Sequence, residues 1–236
     1  MSLIARSTPR EISFQTNINP YADGSVIAEF GNTKVHITVT IEDSVPPWMK
    51  YQGVTGGWIT AEYSMLPGST HTRSKRERPN VSGRTQEIQR LIGRSLRSII
   101  DLEKIGSRTI TIDCDVLVAD GGTRTTAISG AYVALCLATE KLMKKGSLKV
   151  NPIKEALAAV SVGVNPDGKI IADLNYEEDV ACHTDMNIVM TESGKFVELQ
   201  GTAEEEAFSR EQLNALIEAA ESALKKVFAA QKKALQ

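Results

Sequence analysis

Cysteine is scarce. The 236 residues hold three (Cys114, Cys136 and Cys182), an odd number with no two at Cys-x-x-Cys spacing. That excludes a disulfide scaffold and a cysteine zinc site and points to a reducing compartment. Long apolar runs are also missing. The longest, Ala131 to Ala138, has eight residues, far short of the roughly 20 that span a bilayer. The N-terminal stretch carries charge by Arg6 and has no apolar signal core. Neither His-Glu-x-x-His, Gly-x-Ser-x-Gly nor a Walker glycine-lysine loop occurs. The three histidines, His36, His71 and His183, are scattered and support neither a metal site nor a catalytic triad. A net charge of −2 does not advertise a nucleic-acid binder. These exclusions leave a soluble, cytoplasmic protein, and 42% hydrophobic with 24% charged residues is enough to build a core.

The near-neutral average hides an asymmetry. Between Arg73 and Arg97 stand eight basic residues: Arg73, Lys75, Arg76, Arg78, Arg84, Arg90, Arg94 and Arg97. Only Glu77 and Glu87 oppose them, so these 25 residues carry +6 and the rest of the chain −8. Seven of the eight are arginines, whose planar fork suits phosphate oxygens. A basic island on an acidic body is the electrostatic footprint of a polyanion.

Periodicity places the elements. Ser25–Phe30 and Lys34–Glu42 alternate around Gly31-Asn32-Thr33 and predict a hairpin. Pro46-Pro47 breaks the chain, and residues 50–82 read as mostly irregular apart from a short strand near Trp58–Glu62. A helix is expected over Thr85–Leu102, with Ile88, Leu91, Ile92, Leu96, Ile99 and Ile100 inward and Arg90, Arg94 and Arg97 outward. Thr109–Val118 alternates strictly, with Ile110, Ile112, Cys114, Val116 and Val118 on one face. A second helix follows from about Thr125 to Lys145, closed by Gly146. Two more hairpins flank Asn165-Pro166-Asp167-Gly168 and Glu192-Ser193-Gly194. A last helix begins after Ser209, with Gln212 completing a capping box. No repeat or linker interrupts this pattern, so residues 1–236 read as one α+β domain.

Three constellations offer chemistry. In Asp120-Gly121-Gly122-Thr123-Arg124 a strand runs through a glycine turn into a helix. Free backbone N–H groups there favour an anion, Thr123 adds a hydroxyl and Arg124 a bidentate cation. Gly83-Arg84-Thr85 offers a second helix start with an arginine. Asp173, Glu177, Glu178, Asp179 and Asp185 form an acidic run. Hard carboxylates of this kind bind Mg²⁺ when substrate phosphates lie beside them.

Several long motifs then resemble a known family. They are Gly57-Trp58-Ile59-Thr60-Ala61-Glu62-Tyr63, the stretch Gly83 to Ile92, Asp113-Cys114-Asp115-Val116 through Asp120-Gly121-Gly122-Thr123-Arg124, and Asp173-Leu174-Asn175-Tyr176-Glu177-Glu178-Asp179 through Asp185-Met186-Asn187. In order, over essentially the whole chain, they resemble the ribonuclease PH family of phosphate-dependent 3′→5′ exoribonucleases. The resemblance implies the βαβα fold like that of ribosomal protein S5 domain 2, and a homohexamer built as a trimer of dimers. It further implies that Arg84, Gly122, Thr123 and Arg124 hold inorganic phosphate and that Asp179 and Asp185 hold Mg²⁺, with Asp179, Asp185 and Arg124 forming the catalytic set. Arg73, Arg76, Arg78, Arg90, Arg94 and Arg97 would guide RNA, the tRNA 3′ end above all, or build the ring. Three places depart from the family's usual residues: Arg78-Pro79-Asn80, Val118 and His183, none of them in the phosphate or metal motifs.

Two other classes stay open. A non-catalytic RNA-binding ring subunit of an exosome-like assembly is disfavoured by the intact phosphate and carboxylate motifs. A small-molecule phosphotransferase is disfavoured by the lack of its nucleotide loop and by the +6 island.

Overall fold

The computed structural model describes residues 3–77, 80–203 and 207–236. Two five-stranded sheets share the strands. One contains β2 (Ile12–Thr16), β3 (Gly24–Phe30), β4 (Thr33–Glu42), β5 (Trp58–Met65) and β6 (Thr109–Val118), in the order β2-β3-β4-β6-β5. The other contains β1 (Ile4–Arg6), β7 (Leu157–Val164), β8 (Ile170–Ala172), β9 (Thr184–Thr191) and β10 (Phe196–Ala203), in the order β1-β8-β7-β9-β10. The helices are α1 (Pro47–Gln52), α2 (Gly83–Ser98), α3 (Thr123–Lys144), α4 (Tyr176–Ala181) and α5 (Arg210–Ala234). β5 and β6 are parallel and joined through α2, and α3 follows β6, which makes the expected βαβα unit.

Helix α3 is the shared element. Fourteen of its 22 residues are buried, all round the helix rather than along one stripe. A helix apolar on every side must be covered on every side. It packs on β3 and β4 on one side and on β7 and α5 on the other. Gly130 lets it approach the first sheet, because a Cβ there would stand 2.6 Å from Ala28 Cβ and 2.5 Å from Ile37 Cδ1. Ser129 fastens it to the second sheet by exchanging hydrogen bonds with both backbone groups of Ala159. From buried Gln231 on α5, Nε2 donates to the carbonyls of Ser129 and Leu157, each at 2.9 Å. These bonds satisfy polar groups that close packing would otherwise strand away from water.

The other hairpin strands, the β6 strand, the Gly146 helix stop and the α5 capping box stand where the sequence places them. Five expectations need correction. The strand expected over Lys169–Asn175 is only β8, which stops at Ala172, where Asp173 turns the chain with φ of +57°. The prolines do not merely break the chain, since Pro47 occupies the first turn of α1, where a missing N–H costs nothing. β5 runs to Met65, beyond the expected short strand, because it is zipped to β6 in parallel register over eight residues. α2 ends at Ser98, and Ile99 and Ile100 are buried beyond the helix proper. Val118 leaves the core face of β6 and is 39% exposed, because the pairing shifts register beside it, from Lys34–Val118 to Val35–Val116.

Replacing Gly130 with Ala forces a methyl group into the α3 contact with β3 and β4. Overpacking of this kind costs about 1–3 kcal/mol. Urea denaturation of Gly130→Ala is expected to show that loss, and an unchanged midpoint would mean that the α3 contact yields freely.

Candidate anion-binding cleft

A cleft of about 790 Å³ opens where β6, α2, α3, α4 and β9 meet. Arg84, Gly121, Gly122, Thr123, Arg124, Asp179 and Asp185 all line it. The fold thus brings together both arginine-bearing helix starts and the two carboxylates singled out from sequence.

The glycine turn is built first. Gly121 and Gly122 adopt φ of +74° and +65°. A Cβ on Gly121 would collide with the Leu174 carbonyl oxygen, so only glycine fits there. The turn is then laced to its surroundings. The Thr33 hydroxyl donates to the Gly121 carbonyl at 2.6 Å and accepts from the Asp120 N–H. Arg10 donates to the Asp120 carbonyl at 2.5 Å. The Asp120 carboxylate accepts from the Asn32 amide on one oxygen and from the Tyr176 backbone N–H on the other.

Arg10 itself is held by Asp173. This carboxylate is wholly buried and accepts from the Arg10 backbone N–H, Nε and Nη2, at 2.9, 2.9 and 2.8 Å. Asp173 has φ of +57°, which ends β8 and turns the chain toward the cleft. Its place in the acidic run is therefore structural, and it is not a solvated or metal-facing group. Glu178 is diverted too. It closes the α4 capping box with Asn175 and accepts two hydrogen bonds from Arg6, at 2.8 and 2.7 Å. Burial alone would raise its carboxyl, but hydrogen bonds from Arg6 and the Asn175 amide hold it below the usual range. Glu177 is exposed. Of the acidic run, Asp179 and Asp185 alone line the cleft.

The positive end is assembled from two helices. Buried Tyr63 donates its O–H to Thr123 Oγ1 at 2.8 Å, which leaves the Thr123 hydroxyl hydrogen for another acceptor. Burial pushes the Tyr63 phenol above its ordinary value, partly offset by the Thr123 hydrogen bond and by the charges of Arg84 and Arg124. Both arginines thus act on one buried ring, and the starts of α2 and α3 converge. Arg124 is held by Glu87 at 3.3 Å and the Gln200 side chain at 3.1 Å, with 17% of its side chain exposed. At the other end Cys182 is pushed up to about 11, first by burial and then by Asp179, Glu178 and Asp185.

Two carboxylates beside an anion-binding pole fit Mg²⁺, which takes one or two protein carboxylates and fills its octahedron with water and substrate oxygens. Among the described residues no group of three His, Cys, Asp or Glu side chains forms a closed metal cage. That donor set suits a metal shared with a phosphate substrate and does not suit a structural metal.

The remaining arginines divide. Arg97 is not displayed to solvent as expected, since its Nη1 donates to the Ile59 carbonyl at 2.7 Å and its guanidinium lies 4.6 Å over the Trp58 ring. Arg94 pairs with Glu198 at 2.9 Å. Arg73, Arg76 and Arg90 are exposed outside the cleft lining. Arg78 lies outside the described residues. Arg10, Tyr63, Ser161 and Asn187 join the site without having been singled out by sequence reasoning. Arg10 stands 110 residues from the turn it supports, and no local motif announces such a contact.

In this α+β chain, a cleft with one cationic and one acidic end suits the binding of a phosphate group. A family model described as "3′ exoribonuclease family, domain 1" matches residues 8–139, and its "domain 2" matches residues 155–223. The chain is 54% identical over 225 residues to the ribonuclease PH of Bacillus pumilus, covering 94% of this chain and 92% of that protein. It is 53% identical over 228 residues to the ribonuclease PH of Bacillus subtilis, covering 96% and 92%. Among solved structures, rice (Oryza sativa) Rrp46 superposes with a TM-score of 0.79 at 21% identity, covering 98% of this chain and 96% of that one. The Archaeoglobus fulgidus exosome with RNA bound to the active site gives a TM-score of 0.73 at 18% identity, covering 96% and 87%. The fold is thus shared with both of these chains. The chain belongs to the 3′ exoribonuclease family, in its ribonuclease PH branch.

Asp173→Ala is expected to strip the buried Arg10 guanidinium of its close carboxylate and leave only Asp120, at 3.9 Å. Breaking one side of a buried pair costs about 3–5 kcal/mol. Urea denaturation measures the loss, and a change below about 1 kcal/mol would show that Arg10 finds water instead.

Proposed function

We propose that the chain is a phosphate-dependent 3′→5′ exoribonuclease that trims the 3′ end of precursor tRNA and other RNA, releasing nucleoside diphosphates. The observation that carries this reading is the convergence of Arg84, Gly122, Thr123 and Arg124 with Asp179 and Asp185 in one cleft. The relatives named ribonuclease PH supply the reaction class.

Inorganic phosphate sits against Arg84, Arg124, the Thr123 hydroxyl and the free N–H groups at the start of α3. The nucleophile is already anionic, so no strong general base is needed. The protein's task is to bring two anions together and hold them in line. Arg84 and Arg124 neutralise the incoming charge, and the fixed backbone dipoles cost no reorganisation as the reaction proceeds. An oxygen of hydrogen phosphate bonds to the terminal phosphorus. The bond to the preceding 3′ oxygen breaks, and that oxygen keeps the electron pair and takes the proton hydrogen phosphate brought. Asp179 and Asp185 would hold Mg²⁺, which would supply charge neutralisation at the scissile phosphate. One phosphate linkage replaces another, so nucleoside diphosphates drive the reverse reaction when phosphate is low.

The chain works in the cytoplasm as a homohexamer, a trimer of dimers, in which Arg73 and Arg76 guide RNA. No helix among the described residues is long and apolar enough to cross a membrane. The two family segments fold as one domain, because α3 supplies core to both sheets.

The deciding experiment incubates 3′-extended RNA with the protein, with and without phosphate. Nucleoside diphosphates are expected only with phosphate, and nucleoside monophosphates in its absence would overturn the reading. Arg124→Ala is expected to cut turnover about a hundredfold, the usual cost of removing a donor from reacting charge. Near-normal turnover at saturating phosphate would reassign the anion site. Asp179→Asn is expected to weaken the Mg²⁺ dependence, and a titration matching the parent protein would remove Asp179 from the metal set. The double variant Arg73→Ala with Arg76→Ala is expected to flatten the slope of log affinity against log salt by about 1.4, at about 0.7 per single-strand phosphate. An unchanged slope with loss of the hexamer on light scattering would assign these arginines to the ring.

A further inference from the structure

The cleft has an aromatic wall that the phosphate chemistry does not use. Tyr176 and His71 both line it, their ring centroids 5.9 Å apart and their planes inclined at 55°. Tyr176 is half exposed, with its ring against His71 on one side and the cleft on the other. Its hydroxyl makes no hydrogen bond among the described residues, so the ring is not retained for its phenol. The root of the ring, by contrast, is firmly placed. The Tyr176 N–H donates to Asp120 at 3.2 Å, beside the glycine turn. Tyr176 opens α4, whose capping box and Glu178–Arg6 pair fix the helix from below. Asp179 is three residues on, hence on the same helix face, and lines the same cleft. A rigidly seated ring thus stands one helical turn from a cleft carboxylate. The tilt between the rings keeps them from stacking on each other, and the Tyr176 ring stays open to a planar group.

RNA brings such groups. Once its 3′ end is threaded to the anion pole, its bases are stripped of their neighbours. A trimming enzyme must accept every base in turn, and an aromatic face does so because all four bases present a π-surface. We propose that Tyr176, edged by His71, is the stacking platform for the base flanking the scissile phosphate. This holds the 3′ end in register without reading its sequence, and it rests on the phosphorolytic reading of the cleft.

The test uses the full-length protein and single-stranded RNA carrying 2-aminopurine at the last or penultimate position. Binding without phosphate is expected to quench the fluorophore. In Tyr176→Ala the quench disappears and KM for RNA rises about tenfold, within the range measured for base–aromatic stacking. KM for phosphate stays within about twofold, since stacking touches only the RNA. Tyr176→Phe restores both quench and KM, because the face and not the hydroxyl is used. His71→Ala shifts KM for RNA in the same direction by less. On the parent protein, RNA lacking the base loses the same factor, and that loss does not add to Tyr176→Ala. The abasic substrate also keeps the proposal testable if the alanine variant folds poorly. Parent protein that releases nucleoside diphosphates while Tyr176→Ala keeps its quench and its KM overturns the platform alone. Parent protein that releases none overturns the cleft reading itself.

Discussion

The site hangs on one buried ion pair, Arg10 with Asp173. Asp173 lies at the end of β8 in the second sheet, and Arg10 precedes β2 of the first. The guanidinium continues past the carboxylate to the Asp120 carbonyl at the glycine turn. One side chain therefore joins both sheets to the loop that opens the anion site. A wholly buried carboxylate is costly to desolvate, and three hydrogen bonds from a single arginine are what make it tolerable. That arrangement fixes the distance between the start of α3 and the start of α4. Everything placed on those two helices inherits it.

Around this pair the charges are sorted by structural duty. Asp173 and Glu178 are used to hold the frame, through Arg10 and Arg6. Asp179 and Asp185 are left in the cleft. The arginines divide in the same way: Arg6, Arg10 and Arg97 are anchors, while Arg84 and Arg124 face the cleft. The result is a cationic end and an acidic end side by side in one cleft. The aromatic wall at Tyr176 and His71 adds a third kind of surface to this cleft, beside the arginines and the carboxylates.

Secondary structure was largely legible in the chain. Strict alternation defines β6, the turn glycines define the hairpins, and Ser209 with Gln212 defines the start of α5. These signals are local, since period and capping depend on residues a few positions apart. The errors arose where pairing with a distant strand overrode them. β5 extends because β6 lies beside it, and Val118 turns outward because a register shift opposite Lys34 reverses its side. Arg97 shows the same limit: helical period put it outside, but Trp58 and the Ile59 carbonyl, 38 residues back, claim it.

By itself the sequence determined the α+β class, the family motifs, the six residues that meet in the cleft and the basic island. Each is written in a run of neighbouring residues or in simple charge count. Only the tertiary structure decided that the two helix starts converge and which acids of one run are frame and which are site. It alone recruited Arg10 and Tyr176. The physical reason is that burial and pairing are set by residues brought together from over 100 positions apart, and a carboxylate's role depends on whether it is drawn into a buried arginine pair or lines the cleft.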